Sequence, residues 1–241
     1  ENEKEVFSTK SGYSETIGLR NNMEDSIIIR DDLNLYCICD GHGGPETAKY
    51  ASIRIAELFE SRIKNNKYDF SFNKDKESFF ANILNQTEKE LREQNLDDGS
   101  TLCLASLYTN KETGKRKIVT VNLGDARSLI IRSNGESREL TKDQRPAMRS
   151  EFERIHNAFG KLSNDNRVDG ILGVARSLGD FKVFGIGKKA EVEEFDIDDN
   201  DRYLVIGCDG VFDSLKNDEV AKIAIDASSP TEAAFMIRNA A

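Results

Sequence analysis

One short stretch constrains this chain more than any other. Leu35–Gly44 reads LYCICDGHGG, an apolar run that stops at an acid, a glycine, a histidine and two more glycines. Five apolar residues between polar boundaries predict a buried strand. A strand that ends on Asp40 holds that carboxylate on a rigid element. The glycines tolerate positive φ and let a ligand approach the backbone closely. Asp40, the carbonyl of Gly41 and His42 are thereby placed to face one small site. Asp-Gly and Gly-Gly are also ordinary turn punctuation, so this stretch alone does not separate a site from a turn. The same device recurs in Leu204–Asp213, LVIGCDGVFD, where Asp209-Gly210 follows a second apolar run.

Composition narrows the classes. With 241 residues, 38% of them hydrophobic, the chain can bury one sizeable core. A formal net charge of −9 argues against nucleic acid as the main partner, because phosphate backbones require a basic footprint. Cys37, Cys39, Cys103 and Cys208 all lie in apolar runs without a C-x-x-C pair. They read as small buried hydrophobes in a reducing compartment rather than zinc ligands. No stretch is apolar and long enough to span a membrane. A cytoplasmic or nuclear location is expected on these grounds.

The hydrophobic pattern predicts strands over Val6–Tyr13, Ser26–Arg30, Leu33–Cys39, Thr101–Thr109, Lys117–Leu123, Ala126–Arg132, Ser137–Leu140, Ala190–Ile197 and Tyr203–Cys208. Helices are expected from Pro45 to about Ile63, over Lys76–Asn95, Met148–Asn157 and Asn217–Ile225, and from Pro230 onward. Asn65–Asn73 reads as a polar loop, and Gly160–Asp180 as irregular and glycine-punctuated. Short links between successive strands imply antiparallel sheets, and the long amphipathic helices must cover their faces. The expected fold is α+β, a single layered domain.

Acids stand beside these strands: Glu24 and Asp25 before SIIIR, Asp40 after LYCIC, Asp125 in NLGDAR, Asp180 in RSLGD, and Asp209 and Asp213 after LVIGC. Carboxylates that converge repel one another unless a cation lies between them. Oxygen donors suit a hard cation such as Mg²⁺ or Mn²⁺. Taken singly, Asp125 reads as a hairpin turn, Asp180 as a loop cap, Arg20 as a surface charge, Asp143 as a turn cap and His156 as an exposed residue. Asp31, Asp32 and the acids of 196–201 read as solvated loops.

Taken in order, the motifs say more. R-x-x-M-E-D at Arg20–Asp25, C-D-G-H-G-G at Cys39–Gly44, G-S-T at Gly99–Thr101 and N-L-G-D-A-R at Asn122–Arg127 come first. L-T-K-D-Q-R-P at Leu140–Pro146, R-V-D-G-I-L-G-V-A-R-S-L-G-D at Arg167–Asp180 and C-D-G-V-F-D at Cys208–Asp213 follow. This series resembles the metal-dependent serine/threonine protein phosphatases of the protein phosphatase 2C type, from about Ser8 to Asp226. The resemblance implies a four-layer α-β-β-α sandwich of two mainly antiparallel sheets flanked by helices. It implies hydrolysis of phosphoserine and phosphothreonine in phosphoprotein substrates with two Mn²⁺ or Mg²⁺ ions in a core site and a weaker third. Asp40 then bridges two cations, the Gly41 carbonyl and Asp209 each complete one of them, and Glu24 and Asp25 hold cation-bound waters. Arg20 grips the substrate phosphate, and Asp125 with Asp209 and Asp213 matches the third site. His42 is placed to protonate the departing oxygen as general acid. Water activated by the paired cations attacks phosphorus without a covalent phosphoenzyme.

The sequence departs from the family at Gln144, where histidine is usual. A silent phosphatase-like module that binds a regulatory partner, or a hydrolase of small phosphomonoesters, are the competing readings. The family pattern continues past Pro230–Ala241 to a glycine, an Asp-Asn pair and a last strand. A single catalytic domain over 1–241 that lacks this strand, within a larger multidomain chain, is therefore expected.

Overall fold

The computed structural model describes residues 9–64 and 75–241. The loop expected over Asn65–Asn73 lies outside the described residues. In chain order the elements are β1 (Ser26–Arg30), β2 (Leu35–Cys39), β3 (Gly41–His42), α1 (Glu46–Lys64), α2 (Lys76–Glu93), β4 (Gly99–Ser100), β5 (Leu102–Thr109), β6 (Arg116–Leu123), β7 (Arg127–Arg132) and β8 (Ser137–Glu139). They continue with α3 (Arg149–Asn157), β9 (Leu178–Gly179), β10 (Glu191–Asp196), β11 (Asp201–Gly207), α4 (Asp209–Phe212), α5 (Asn217–Asp226) and α6 (Pro230–Ala240).

A five-stranded sheet runs β1-β2-β5-β6-β10 and a three-stranded sheet runs β11-β7-β8, with every pairing antiparallel. Three apolar layers hold them. Ala105, Leu107, Ile118 and Ile130 pack between the two sheets, joined by Leu204 and Ile206. Ile55, Phe59, Phe80 and Ile83 of α1 and α2 cover the outer face of the five-stranded sheet. Val220, Ala224, Ala233 and Ile237 of α5 and α6 cover the outer face of the three-stranded sheet against Leu129 and Ile131. The result is the expected four-layer α-β-β-α sandwich.

A third, three-stranded sheet, β3-β4-β9, is very short. It matters because each strand carries one of the glycine motifs. His42 lies opposite Gly99, and Gly99 lies opposite Gly179. The strand expected over Thr101–Thr109 forms as β5 from Leu102 onward, with β4 a separate short strand just before it. Between them, Thr101 donates its N–H to the Asp40 carbonyl at 2.8 Å.

Two expectations are corrected. The strand over Val6–Tyr13 is not formed in its described part, 9–13. There the chain makes side-chain rather than ladder bonds, from Thr9 Oγ1 to Asn34 Oδ1 (3.1 Å) and from Ser11 Oγ to Asp31 Oδ2 (3.0 Å). Its Gly12 lies so close to Pro230 and Thr231 that a Cβ would come within 2.3 Å of their backbone. Among the acids assigned to solvated loops, Asp201 instead opens β11, with its side chain only 2% exposed and Arg132 and Arg138 beside it.

Candidate metal centre and active site

β2 and β11 belong to different sheets, yet both deliver an acid to the same end of the sandwich. Asp40 follows β2, and Asp209 follows the link residue Cys208 after β11. Ligand atoms of Asp40, Cys208 and Asp209 lie within 4.8 Å of one another. Asp25, one residue before β1, lies near enough to Cys208, Asp40 and Asp209 to interact with them, and Asp125 in the β6–β7 link lies near enough to act on Asp40. Four carboxyl groups from four links of the chain thus converge.

The electrostatic consequence is large. Burial, then the nearby charges of Asp25, Asp209 and Asp125, push the Asp40 carboxyl up to about 9. Burial raises Asp25 as well, with Asp209 adding to it. Burial and Asp209 lift Asp125 to about 6. Burial followed by the charges of Asp25 and Asp40 moves the Cys208 thiol up to about 12, which keeps it a neutral thiol. Without a cation the cluster can exist only by holding protons. Its donor set is mostly carboxylate oxygen, so a hard divalent cation fits where those protons sit.

These shifts set a pH dependence. A carboxyl whose folded pKa lies above its unfolded value contributes stability that is complete below the unfolded value and is lost as pH rises through the folded one. The metal-free chain should therefore lose thermal stability between about pH 4 and pH 9, with Asp40 the largest single source. Saturating Mn²⁺ should remove most of that slope and raise the melting temperature at pH 8.5 by about 10 °C. Thermal melts across pH with and without Mn²⁺ check this. A melting temperature at pH 8.5 that is indifferent to Mn²⁺ would contradict it.

Gly41 is held between the cluster and the chain ahead of β1. A Cβ on it would lie 2.2 Å from the Glu24 carbonyl oxygen. Only glycine lets these two segments approach, and this brings the backbone of Glu24 beside that of Gly41. Arg20 stands apart from these contacts. It lies exposed just after the Ile17–Arg20 turn, where its N–H bonds to the Ile17 carbonyl at 3.1 Å.

His42 has a partner that its own motif does not reveal. Its Nε2 lies 2.7 Å from Oδ2 of Asp180, which also accepts from Ser177 Oγ at 2.5 Å. The small β3-β4-β9 sheet builds this pair. Asp180 follows β9 and reaches back toward β3 across Gly99, where a Cβ would lie 2.1 Å from the Asp180 carboxylate. Asp180 takes a left-handed φ of 47°, an unusual choice for a residue with a side chain. The glycine of G-S-T and the acid of S-L-G-D are thus two halves of one device that orients an imidazole. Read alone, Asp180 passed as a loop cap. The signal available in sequence was its place in the motif series beside Gly99.

Asp98 also has a specific role. Its Oδ2 accepts from the N–H groups of Glu46 (2.8 Å) and Thr47 (3.0 Å), and Oδ1 from Thr47 Oγ1 (2.7 Å). It caps α1 from far along the chain and fixes the loop that carries His42. Gln144 holds the β6–β7 link. Its Oε1 accepts from Gly124 N–H and its own N–H donates to the Gly124 carbonyl, both at 2.8 Å.

Comparison with known proteins follows the same lines. A family model described as protein phosphatase 2C matches residues 7–241. A probable protein phosphatase 2C 55 from rice (Oryza sativa subsp. japonica) is 30% identical over 248 residues, covering 95% of this chain and 61% of its own. A probable protein phosphatase 2C 69 from Arabidopsis thaliana is 31% identical, covering 92% of this chain and 63% of its own. The chain thus spans about three fifths of the length of these relatives. Among solved structures, a phosphatase from Toxoplasma gondii has the same fold with a TM-score of 0.78 at 19% identity, over 92% of this chain and 84% of that one. A Caenorhabditis elegans sex-determining protein gives 0.76 at 23% identity, over 92% and 58%. No helix among the described residues is long and apolar enough to cross a membrane.

Proposed function

Because the chain belongs to the protein phosphatase 2C family, we propose that it hydrolyses phosphoserine and phosphothreonine in proteins with Mn²⁺ or Mg²⁺ at the Asp40–Asp209 centre. The convergence of Asp25, Asp40 and Asp209 at one end of the sandwich is the observation that carries this reading. Asp40, Asp209 and the Gly41 carbonyl would hold the ions, with Glu24 and Asp25 orienting water around them. Divalent ions bound there supply Lewis acidity that makes water a nucleophile near neutral pH.

The chain's own groups do the rest. Arg20, exposed at the edge of the cluster's N-terminal segment, is free to swing its planar guanidinium onto phosphate oxygens in a bidentate contact. Asp180 holds His42 in one orientation through Nε2, which leaves Nδ1 to face the leaving oxygen. His42 can give that oxygen its proton as the ester bond breaks. Partial burial of the cluster strengthens each of these electrostatic contacts.

The test is turnover of a phosphoserine peptide by the chain with Mn²⁺, with chelator as the control and a sugar phosphate as the competing substrate. Mn²⁺-dependent release of phosphate from the peptide in preference to the sugar phosphate is expected. Preference for the sugar phosphate would favour a small-molecule hydrolase. Absence of turnover on both would favour a silent binding module.

A further inference from the structure

We infer that Arg145 closes the position between Asp125 and Asp213 to a divalent cation, confining bound metal to the Asp40–Asp209 centre. The inference rests on reading that centre as a metal site. The family resemblance implies a third cation at Asp125 and Asp213, and the residues present do not fit one. Arg145 Nη2 lies 2.5 Å from Asp213 Oδ1, and Nε lies 3.6 Å from Asp125 Oδ2 and 3.5 Å from Asp143 Oδ2. The guanidinium therefore spans the two carboxylates a cation would share. Asp143 does not release it, because Arg127 already grips Asp143 with two parallel bonds of 2.9 and 2.8 Å. Arg127 is itself fixed over the Phe212 ring and on Asn217 Oδ1.

The backbone delivers Arg145 to this place. Its neighbour Gln144 is buried and locked to Gly124 by the paired bonds described above, so residue 145 must lie beside Asp125. On the other side, Met148 N–H bonds to the Arg145 carbonyl at 3.0 Å. An arginine cannot lose its proton in a protein. A divalent ion at the same oxygens would stand within a few ångströms of a permanent positive charge, and it would have to take those oxygens away from the guanidinium. The arginine acts as an internal counter-ion in place of a bound one.

The experiment is a Mn²⁺ titration of the full chain, with bound ions counted from the electron paramagnetic resonance signal of free Mn²⁺. The Arg145→Ala chain should bind one Mn²⁺ more than the parent chain, and Asp125→Asn added to Arg145→Ala should abolish the gain. Arg145→Gln, which keeps most of the side-chain volume, should show the same gain and serves if the alanine variant folds poorly by circular dichroism. Equal counts in the parent and both Arg145 variants would overturn the inference. So would a gain that survives Asp125→Asn. Failure of the underlying reading shows elsewhere, as a parent count that Asp40→Asn does not lower, while the Arg145 comparison keeps its own outcome.

Discussion

Asp40→Asn is expected to lower phosphoserine-peptide turnover by at least ~100-fold at saturating Mn²⁺, the scale of losing a principal electrostatic element. Asparagine keeps the shape and one oxygen of the side chain, so the substitution isolates the charge. That charge is the one the fold finds hardest to bear. Burial, with Asp25, Asp209 and Asp125 nearby, pushes Asp40 up to about 9 in the absence of a cation. Two signs follow from this. Removing the charge should raise the melting temperature of the metal-free chain at pH 8.5, because repulsion is relieved. It should also shrink the rise that Mn²⁺ produces, because the site is weakened. A residue with a merely structural role would lower stability and leave the Mn²⁺ response alone. Near wild-type turnover in this variant would sink the metal assignment.

The second large effect concerns the proton. His42→Gln is expected to slow hydrolysis of a phosphoserine peptide by roughly 100-fold, within the usual range for a general acid. On nitrophenyl phosphate the loss should stay below about tenfold, since a phenol of low pKa leaves without a proton. The imidazole's geometry supports this division. It is held by Asp180 at 2.7 Å, and the imidazole is 25% exposed while the carboxylate is only 5% exposed, so the ring is open to solvent and its anchor faces the interior. Equal losses on both substrates would mean that His42 shapes the site rather than donating a proton.

Much of this was legible before any coordinates. The apolar runs LYCIC and LVIGC marked two strands, and the acid after each marked where they meet. The three-four spacing of Ala51, Ile55, Leu58 and Phe59 marked α1 and its buried face. What remained hidden shares one physical cause. His42 and Asp180 are 138 positions apart, and Asp98 caps a helix about 50 positions before it. A local pattern reports which face is buried, but not which loop crosses which. The role of Asp180 depends on the register of a three-strand sheet with two residues per strand, too short to leave a periodic signal. Arg145 was invisible for the same reason, since its place follows from the Gln144–Gly124 latch. The segment at 9–13 failed differently. Its Thr and Ser residues favour strands and turns alike, and side-chain bonds to the β1–β2 turn won over a ladder.

The most direct test of the central claim is anomalous scattering from crystals of the chain grown with Mn²⁺. The account predicts manganese peaks between Asp40 and Asp209, at about 2.0–2.3 Å from carboxylate oxygens, and no peak between Asp125 and Asp213. Crystals saturated with Mn²⁺ that show no peak at Asp40 would contradict it.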